Sequence, residues 1–512
     1  MSDLETSVPE RKYTPVTLLL RETSADGEET RREAASGACV FDGEESYLVS
    51  VVLAKPDLRR VTVRYTCAEL INGDQVKWIN VPVEGLRVRA VDGPELEAFF
   101  AASRGEPEGP RRRYALVCRL PAFCTVPVRN GLRPFAVAGG TRSRALPRAV
   151  RIESSPFALT TVEVFGGYTS HGHVNYASPG GEFWLSDCKF MENMNGGVVV
   201  LEGGDGLAGE SENRSIGLVW GRVRWKAGEL MVVLGWGALF GRLGLFAGAR
   251  PTAAAAARTG VSRAAQKVVA LRVTDRHGVL SWGSGVVVER GTVVTNKHVV
   301  TGSCARNELP ATVEIVYTPA GGTPATATAL IAAPQLGTDV HMSLATDDAQ
   351  HDVCFVRTTD PAFCSAVDAI DVLGGGPLAA LARRRAPPAG TVRPGLRVGD
   401  RTVSVGHGLF LAPGAPLQSA GRVSKLAGAT VICSSPCWAG CSGGAVLNAA
   451  GELVALMAHN VRHVASGETL AGVNCAIGVA VLSACHDRLL VAPRQRLRRS
   501  SGPARGVACP RL

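Results

Sequence analysis

A serine in a glycine-rich turn is the residue of this 512-residue chain whose surroundings most clearly suggest a chemical reaction. Ser442 stands in the segment Gly440-Cys441-Ser442-Gly443-Gly444. Glycines on both sides of a serine let the backbone fold tightly, so that the hydroxyl stands free and main-chain N–H groups converge on one point. This turn fits the nucleophile of an acyl-transfer enzyme, although glycine-rich serine turns also occur in ordinary loops.

Two further residues could activate this serine. A serine hydroxyl attacks poorly until a base removes its proton, and the base in turn needs a group that orients it. His298 follows a β-branched segment, and Asp352 opens an apolar one. Asp339 and Asp348 are alternatives for the carboxylate. The chain order His, Asp, Ser favours Ser442 as nucleophile, His298 as general base and later acid, and Asp352 as the group that fixes the imidazole tautomer.

The serine turn also predicts an oxyanion hole and an uncharged substrate pocket. Backbone N–H groups of Gly440 and Ser442 would bind the oxyanion that forms during acyl transfer. The segment 430–444 contains no acidic residue. A basic substrate side chain would therefore lack a buried partner, so we expect a pocket for a small or uncharged residue.

Short β-branched segments surround these residues and predict a mainly β unit over residues 265–490. Many short strands separated by turn residues are typical of a barrel or sandwich. The Ala-rich piece 251–264 before this unit is predicted to be a linker, with a short helix as the alternative for its alanine run. The strands are expected at residues 268–273, 283–288, 292–295, 352–357, 402–406, 429–432 and 444–447.

The first 250 residues repeat parts of this pattern without the chemical groups. The segment Asn195-Gly196-Gly197 resembles 442–444, with asparagine at the serine position, and no histidine lies near Ser50. We interpret residues 1–250 as a degenerate copy of the C-terminal unit that lacks the catalytic residues. The alternative is that short β-hairpins simply look alike.

Composition narrows the classes of function. Hydrophobic residues make up 46% and charged residues 20%, which is ordinary for a globular chain, and 59 Gly and 29 Pro favour strands and turns. The length predicts two or three domains. The net charge of +10 is concentrated in the tail 491–512. No aromatic residues interleave with its arginines, so we interpret it as a flexible basic tail and predict no nucleic-acid binding.

Neither a membrane span nor a metal site is predicted. The apolar stretch 230–249 approaches spanning length, but Arg242 and several glycines interrupt it, so a packed helix or strand pair is expected. The N-terminus lacks the apolar run of a secretory signal, and the 14 cysteines are expected to remain thiols. Cys433, Cys437 and Cys441 fall four residues apart, but we interpret them as thiols and expect no metal or other cofactor.

The motifs resemble a known group of serine proteases. The histidine box 295–300 and the order of the three catalytic candidates are similar to the trypsin-like fold, particularly its DegP-like branch. More specific segments are similar to the peroxisomal and glyoxysomal processing proteases of animals and plants. They lie in both halves of the chain, at residues 155–157, 185–187, 196–198, 225–229, 282–286, 403–410, 460 and 473–477.

The resemblance implies a fold, a pocket and an activity. It implies a trypsin-like double β-barrel preceded by a degenerate protease-like β domain, with the site between the two barrels. Pro436 stands where enzymes that cut after Lys or Arg carry an acid, and Ala458, His459 and Asn460 would form one pocket wall. The implied enzyme removes N-terminal presequences from imported proteins in the peroxisomal matrix, cuts near a residue such as Cys, and processes itself.

The chain's last residues and two rival functions complete the expectations. Pro510-Arg511-Leu512 resembles a peroxisomal import signal, which implies binding by an import receptor. A DegP-like quality-control protease is one rival, but it would normally carry a PDZ domain where only a short segment follows Cys485. An inactive protease-like scaffold is the other. The sequence leaves the formation of a homo-oligomer open.

Overall fold

Antiparallel strands make up about half of the described residues, and they belong to two compact units, Met1–Arg258 and Thr259–Leu512. The structure is a computed structural model that describes residues 12–42, 45–72, 75–102, 106–107, 113–121, 133–134, 146–202, 214–225, 228–245, 260–301, 310–319, 324–331, 352–374, 376–378, 395–408, 415–462 and 469–487. The division between the units falls inside the predicted linker 251–264. The predicted basic tail 491–512 lies outside the described residues.

The N-terminal unit contains two main sheets and a few helices. Its strands are β1 (Lys12–Thr23), β2 (Glu29–Asp42), β3 (Glu45–Val52), β4 (Val61–Thr66), β5 (Ile71–Asn72), β6 (Gln75–Val76), β7 (Ile79–Val81), β8 (Leu86–Ala90), β9 (Glu106–Pro107), β10 (Tyr114–Arg119), β11 (Arg133–Pro134), β12 (Arg148–Ser154), β13 (Tyr168–Ala177), β14 (Phe183–Ser186), β15 (Val198–Leu201), β16 (Arg214–Trp225) and β17 (Gly228–Gly235). Its α-helices are α1 (Pro94–Ala102), α2 (Ala158–Phe165) and α3 (Trp236–Leu243), with short 3-10 turns at Ala68–Leu70 and Val83–Gly85.

The C-terminal unit contains two closed six-stranded barrels. The first has the strand order β18-β19-β20-β23-β22-β21 and the second the order β24-β25-β26-β29-β28-β27. The first barrel consists of β18 (Val268–Thr274), β19 (Leu280–Glu289), β20 (Thr292–Thr295), β21 (Thr312–Tyr317), β22 (Ala325–Ile331) and β23 (Cys354–Arg357). The second consists of β24 (Arg401–Gly406), β25 (Leu417–Ala427), β26 (Thr430–Cys433), β27 (Ala445–Leu447), β28 (Leu453–Arg462) and β29 (Thr469–Gly478). The helices are α4 (Gly260–Ala265), α5 (Lys297–Thr301), α6 (Pro361–Ala366) and α7 (Val479–His486).

Strand β20 of the first barrel is buried on both faces because each face meets a different core. Side chains alternate across a strand. On β20, Val293 belongs to the core inside the first barrel, whereas Val294 packs with Val405 and Leu447 of the second barrel. This two-sided burial explains why the segment reads as a continuous β-branched run in the sequence.

The two sheets of the N-terminal unit repeat the strand order of these barrels. Strands β15-β12-β13-β14-β17-β16 follow one another, and an additional β15–β16 pairing closes them into a ring with the connectivity of the second barrel. Strands β4-β1-β2-β3-β10-β8 follow the order of the first barrel, although no β4–β8 pairing is recorded within the described residues. The double-barrel architecture expected from the sequence is confirmed for the C-terminal unit.

Helix α4 departs from the predicted organisation. It occupies residues that we assigned to the linker 251–264, and the remainder of that segment lies outside the described residues. Val261, Ala264 and Ala265 are buried in the core that joins the two barrels. The linker prediction is therefore too long at its C-terminal end, because short apolar residues in an Ala-rich piece can pack as readily as they can link.

The apolar stretch 230–249 forms packed structure as far as it is described. It contains most of β17 and the whole of α3, and Trp236, Leu239 and Phe240 are buried. Among the described helices, none is long and apolar enough to cross a membrane.

Candidate active site

The turn around Ser442 is held in a conformation that depends on glycine. Gly440 has φ +96° and Gly443 has φ +81°, in the region that favours glycine. The Gly443 N–H donates to Met457 O at 2.9 Å, which ties the turn to β28. A Cβ atom on Gly443 would lie 2.1 Å from Ser284 O, so a larger residue does not fit there.

The two predicted oxyanion-hole groups are available for a ligand. Neither the Gly440 N–H nor the Ser442 N–H donates a hydrogen bond to any described residue. The carbonyl groups of the same two residues are fixed instead, because Ser284 Oγ donates to Gly440 O at 2.7 Å and Ser284 N donates to Ser442 O at 2.8 Å. Within the described residues, the turn thus leaves two backbone N–H groups free to bind a ligand, while hydrogen bonds from Ser284 hold its carbonyl groups in place.

Ser284 is a buried residue that the sequence reasoning missed as part of the site. Besides its bonds to the serine turn, its hydroxyl accepts from the His407 N–H at 2.7 Å, and its carbonyl accepts from Thr295 Oγ1 at 2.7 Å. The residue is fully buried. The sequence signal for this role is a small polar residue between two glycines, Gly283-Ser284-Gly285, inside a β-strand. From the sequence, we interpret that segment only as a strand and as part of a family motif.

His298 and Asp352 form a close pair. His298 lies in α5, three residues after the end of β20, and its Nδ1 contacts Asp352 Oδ2 within hydrogen-bond distance. The His298 N–H donates to Asp352 Oδ1 at 2.9 Å, and Asn296 Nδ2 donates to Asp352 O at 2.9 Å. Asp339 and Asp348, the alternative carboxylates, lie outside the described residues.

The hydrogen bonds of this pair keep Asp352 ionised. Burial alone raises the pKa of the Asp352 carboxyl, but the bond and charge of the His298 ring, together with the N–H groups of His298 and Lys297, outweigh burial and lower the pKa below its usual value. An ionised carboxylate accepts the Nδ1 proton of the imidazole and thereby leaves Nε2 as the basic nitrogen.

Ser442 lies next to this segment, but its hydroxyl points elsewhere. A Cβ atom on Gly443 would lie 2.3 Å from Thr295 Oγ1, which places the serine turn against the end of β20. Ser442 Oγ donates to Ala458 O at 2.9 Å, and no hydrogen bond joins it to His298 among the described residues. The structure therefore brings His298 and Asp352 together, whereas the Ser442 hydroxyl is hydrogen-bonded to Ala458 O and not to His298.

The predicted pocket residues lie on two neighbouring segments. Ala458 is buried and contacts Ser442 through its carbonyl, whereas His459 is exposed. Asn460 Nδ2 donates to Cys437 O at 3.0 Å, next to the half-buried Pro436. These bonds join β28 to the segment before the serine.

The thiols near the turn are buried and unconnected by disulfides. Cys433, Cys437 and Cys441 are free, and Cys437 Sγ lies 3.5 Å from Met457 Sδ. Within the described ranges, no group of three or more His, Cys, Asp or Glu residues could hold a metal ion.

The N-terminal unit contains a turn with the same backbone bonds. Asn195 stands in the place of Ser442, Gly196 has φ +79°, and Gly196 N donates to Val219 O at 2.7 Å. Ser36 takes the place of Ser284, because its N–H donates to Asn195 O at 2.9 Å and its hydroxyl donates to Asn193 O at 2.8 Å.

The serine and the histidine of the first turn have no equivalents among the described residues of this second turn. Ser50 Oγ donates to Ser36 O at 2.5 Å, as Thr295 does to Ser284, so Leu53 stands in the place of His298. Tyr114, two residues before the partner of Ser50 on β10, stands in the place of Asp352. Asn195 Nδ2 donates to Val51 O at 2.6 Å. The Leu53 N–H donates to Glu33 Oε1 at 2.8 Å, so a carboxylate lies here, but no described histidine stands in the place of His298.

Part of the C-terminal unit is similar to known proteins. Residues 283–456 match the family model described as a trypsin-like peptidase domain. One similar structure is a serine endoprotease from Yersinia pestis, with 20% sequence identity and a TM-score of 0.31. The alignment covers 45% of this chain and 65% of the endoprotease chain. The HtrA-type protease AlgW with tripeptide is 19% identical, covers 46% and 63%, and has a TM-score of 0.31. The match thus spans less than two thirds of each chain, and no curated protein matches this sequence.

Proposed function

We propose that this chain, which carries a trypsin-like peptidase domain over residues 283–456, is a serine endopeptidase with Ser442 as its nucleophile. The observation that carries the proposal is the fixed pair of His298 and Asp352 beside a serine turn that has two unoccupied N–H donors. The matched residues include all three candidate groups.

The proposed reaction begins with a change of the Ser442 rotamer. Rotation about its Cα–Cβ bond moves Oγ away from Ala458 O and toward the imidazole of His298. Nε2 then accepts the hydroxyl proton as Oγ attacks the substrate carbonyl. The Asp352 carboxylate stabilises the imidazolium that forms, and the imidazolium afterwards protonates the leaving amine.

The oxyanion of the tetrahedral intermediate would bind to the turn itself. The N–H groups of Gly440 and Ser442 are the donors, and each such donor typically contributes about 2.7–4 kcal/mol to lowering the barrier. Ser284 fixes the two carbonyls, so the donors need little reorganisation when the negative charge develops. Preorganised donors of this kind are the largest electrostatic contribution in acyl transfer.

The proposed pocket takes a small or uncharged side chain. Pro436, Ala458, His459 and Asn460 are its candidate walls, and the segment 430–444 carries no carboxylate that could neutralise a buried lysine or arginine. Burial of an unpaired charge is unfavourable, so cleavage after basic residues should be poor. A residue such as Cys next to the cleaved bond agrees with this pocket.

The proposed substrates are polypeptides with N-terminal presequences in the peroxisomal matrix. The support is the set of segments in both halves that are similar to the peroxisomal and glyoxysomal processing proteases. Self-processing, the import receptor at Pro510-Arg511-Leu512 and a homo-oligomeric state belong to the same proposal.

A comparison of protein N-termini in cells tests this assignment. Peroxisomal proteins from cells that carry the native chain or Ser442→Ala should differ, with longer N-termini only in the variant. Unchanged N-termini together with accumulation of misfolded proteins would favour general quality control. Unchanged N-termini and no substrate accumulation would favour an inactive scaffold.

We further propose that the N-terminal unit is a degenerate copy of the protease unit. The repeated strand order and the matching hydrogen bonds of Ser36 and Ser284 support this proposal. The unit would then contribute to substrate or partner binding and not to the reaction.

A further inference from the structure

A cavity of about 190 Å³ lies on the N-terminal unit. Residues of strands β1, β2 and β4 form one wall of this cavity, and residues of helix α2 form another wall. Three arginines line it, together with Trp78, Leu159 and Glu163. The arginines are Arg21, Arg32 and Arg64. We call this cavity the arginine pocket.

Strand pairing places the three arginines on one face of the sheet. Arg21 on β1 lies directly opposite Arg32 on β2, and Leu19 lies opposite Arg64 on β4. Residues two apart on a strand share a face, so Leu19 and Arg21 project to the same side and bring Arg64 with them. Like charges directly opposite one another destabilise a sheet. Arg32 and Arg64 are exposed, so water screens part of this repulsion, but the pairing still concentrates positive charge on one face.

Only one of these three guanidinium groups has a described carboxylate within ion-pair distance, and that contact is long. Arg32 and Arg64 form no side-chain hydrogen bond or ion pair with any described residue. Arg21 Nε lies 3.7 Å from Glu29 Oε2, which is too long for a hydrogen bond, and this buried nitrogen has no hydrogen-bond acceptor in the described part of the chain. Glu163 lines the pocket without forming an ion pair there.

A neighbouring arginine shows what internal neutralisation looks like in the same sheet. Arg31 Nη1 lies 3.1 Å from Glu22 Oε1, and its Nη2 contacts Glu33. Arg31 is adjacent to Arg32 in sequence but projects to the other side of β2. Two carboxylates thus contact Arg31, whereas Arg21 has one distant carboxylate and Arg32 and Arg64 have none among the described residues.

We propose that the arginine pocket binds the phosphate group of a small phosphate monoester. Three arginines and Glu163 give the lining a net charge of +2, and a phosphate monoester carries about −1.5 to −2 at neutral pH. Three planar guanidinium groups offer more donors than the two oxygens of a carboxylate can accept, whereas phosphate has three terminal oxygens. Trp78 and Leu159 provide an apolar wall for the organic part of the ligand.

Calorimetric titration of the full chain with phenyl phosphate, inorganic phosphate and phenylacetate tests this assignment. At constant ionic strength and pH 7.5, phenyl phosphate should bind most tightly and phenylacetate most weakly. Arg32→Gln combined with Arg64→Gln should weaken phenyl phosphate binding about a hundredfold, because each lost charge-assisted contact costs about tenfold. Glu163→Gln should strengthen binding, since it removes the negative charge from the lining.

The matched control is Arg59→Gln, which removes an exposed arginine that does not line the pocket. Its phenyl phosphate affinity should equal that of the native chain. Without ligand, the double arginine variant should unfold at the same temperature as the native chain or higher, because a repulsive pair is gone. Equal affinity in the native chain and the double variant, preference for phenylacetate, or weaker binding by Glu163→Gln would each overturn the proposal.

Discussion

The hydroxyl of Ser284 links the backbone of the serine turn to the strand beside it. It donates to Gly440 O and accepts from the His407 N–H, so two peptide groups depend on one buried side chain. In the account proposed above, this bond orients the turn that carries both oxyanion donors. Ser284 does not touch the substrate and is therefore a positioning residue.

Replacement of Ser284 by alanine should lower kcat about tenfold with little change in KM. The Gly440 carbonyl would lose its donor, and the oxyanion donors would no longer be held in place before the reaction. Stability should also fall by about 1–3 kcal/mol, because a buried polar group is left unsatisfied. Steady-state kinetics and urea unfolding measure the two effects.

Ser36→Ala is the matched control within the same chain. Ser36 makes the same hydrogen bonds in the N-terminal unit, to Asn193 O and from the Ser155 N–H. It should cost similar stability and leave kcat unchanged. An equal loss of kcat in both variants would show that Ser284 acts only through overall stability.

Asp352→Asn should reduce kcat/KM by about 10⁴-fold with the fold intact. An amide in place of the carboxylate can donate to His298 Nδ1 and so leaves the proton on the wrong nitrogen for general-base catalysis. The measurement is hydrolysis of a peptide with an uncharged residue before the cleaved bond. Activity within tenfold of the native chain would exclude Asp352 from the proposed role.

At the scale of elements, the residue that follows β24 is His407, a buried histidine whose charge state affects the stability of the fold. Burial lowers the pKa of His407 to about 4 from 6.5, although its Nε2 bonds to Val268 O. The folded protein therefore holds His407 neutral at pH values where the unfolded chain binds a proton.

Stability of the C-terminal unit should fall as pH drops from 6.5 to 4. The folded pKa of His407 is depressed, so the unfolded chain binds more protons in this window and gains about 3 kcal/mol relative to the folded state. His407→Gln should flatten this dependence in urea unfolding. The lowered pKa of Asp352 affects stability mainly at more acidic pH, since its contribution is lost only as pH falls through its unfolded pKa toward the lower folded one. Equal pH dependence in the native and variant chains would contradict the neutral, buried state of His407.

Strand positions in the C-terminal unit followed closely from the sequence. β20 was predicted at 292–295 and β24 at 402–406, within one residue of the structure. Two-sided burial explains this success, because it requires continuous β-branched runs that stand out in any sequence. Helix α4 was missed, since its short alanine-rich segment gains its stability from the core between the barrels and not from its own pattern.

The site was predictable only where side chains carry the chemistry. Ser442, His298 and Asp352 are recognisable by type and order, but the Ser442 rotamer toward Ala458 depends on tertiary contacts. The role of Ser284 also depends on a partner far along the chain, because its hydroxyl binds Gly440 in the other barrel. A sequence pattern contains no direct signal for such long-range bonds.

At the scale of the whole molecule, two units share a strand order, but among the described residues only the C-terminal one combines a serine, a histidine and an aspartate at its turn. The turn around Asn195 keeps the backbone bonds of the serine turn, while Leu53 and Tyr114 stand where a base and a carboxylate would be needed. The backbone framework is therefore separable from catalysis. A chain built in this way should contain one reactive serine.

Labelling of the folded chain with a fluorophosphonate tests the central claim most directly, because the reagent reacts with a serine that a neighbouring base has activated. The native chain should be labelled at one serine, Ser442, and the variants Ser442→Ala and His298→Ala should not be labelled. Ser36→Ala should be labelled like the native chain. Absence of label on Ser442 in the folded native chain, or undiminished labelling of Ser442→Ala, would contradict the account.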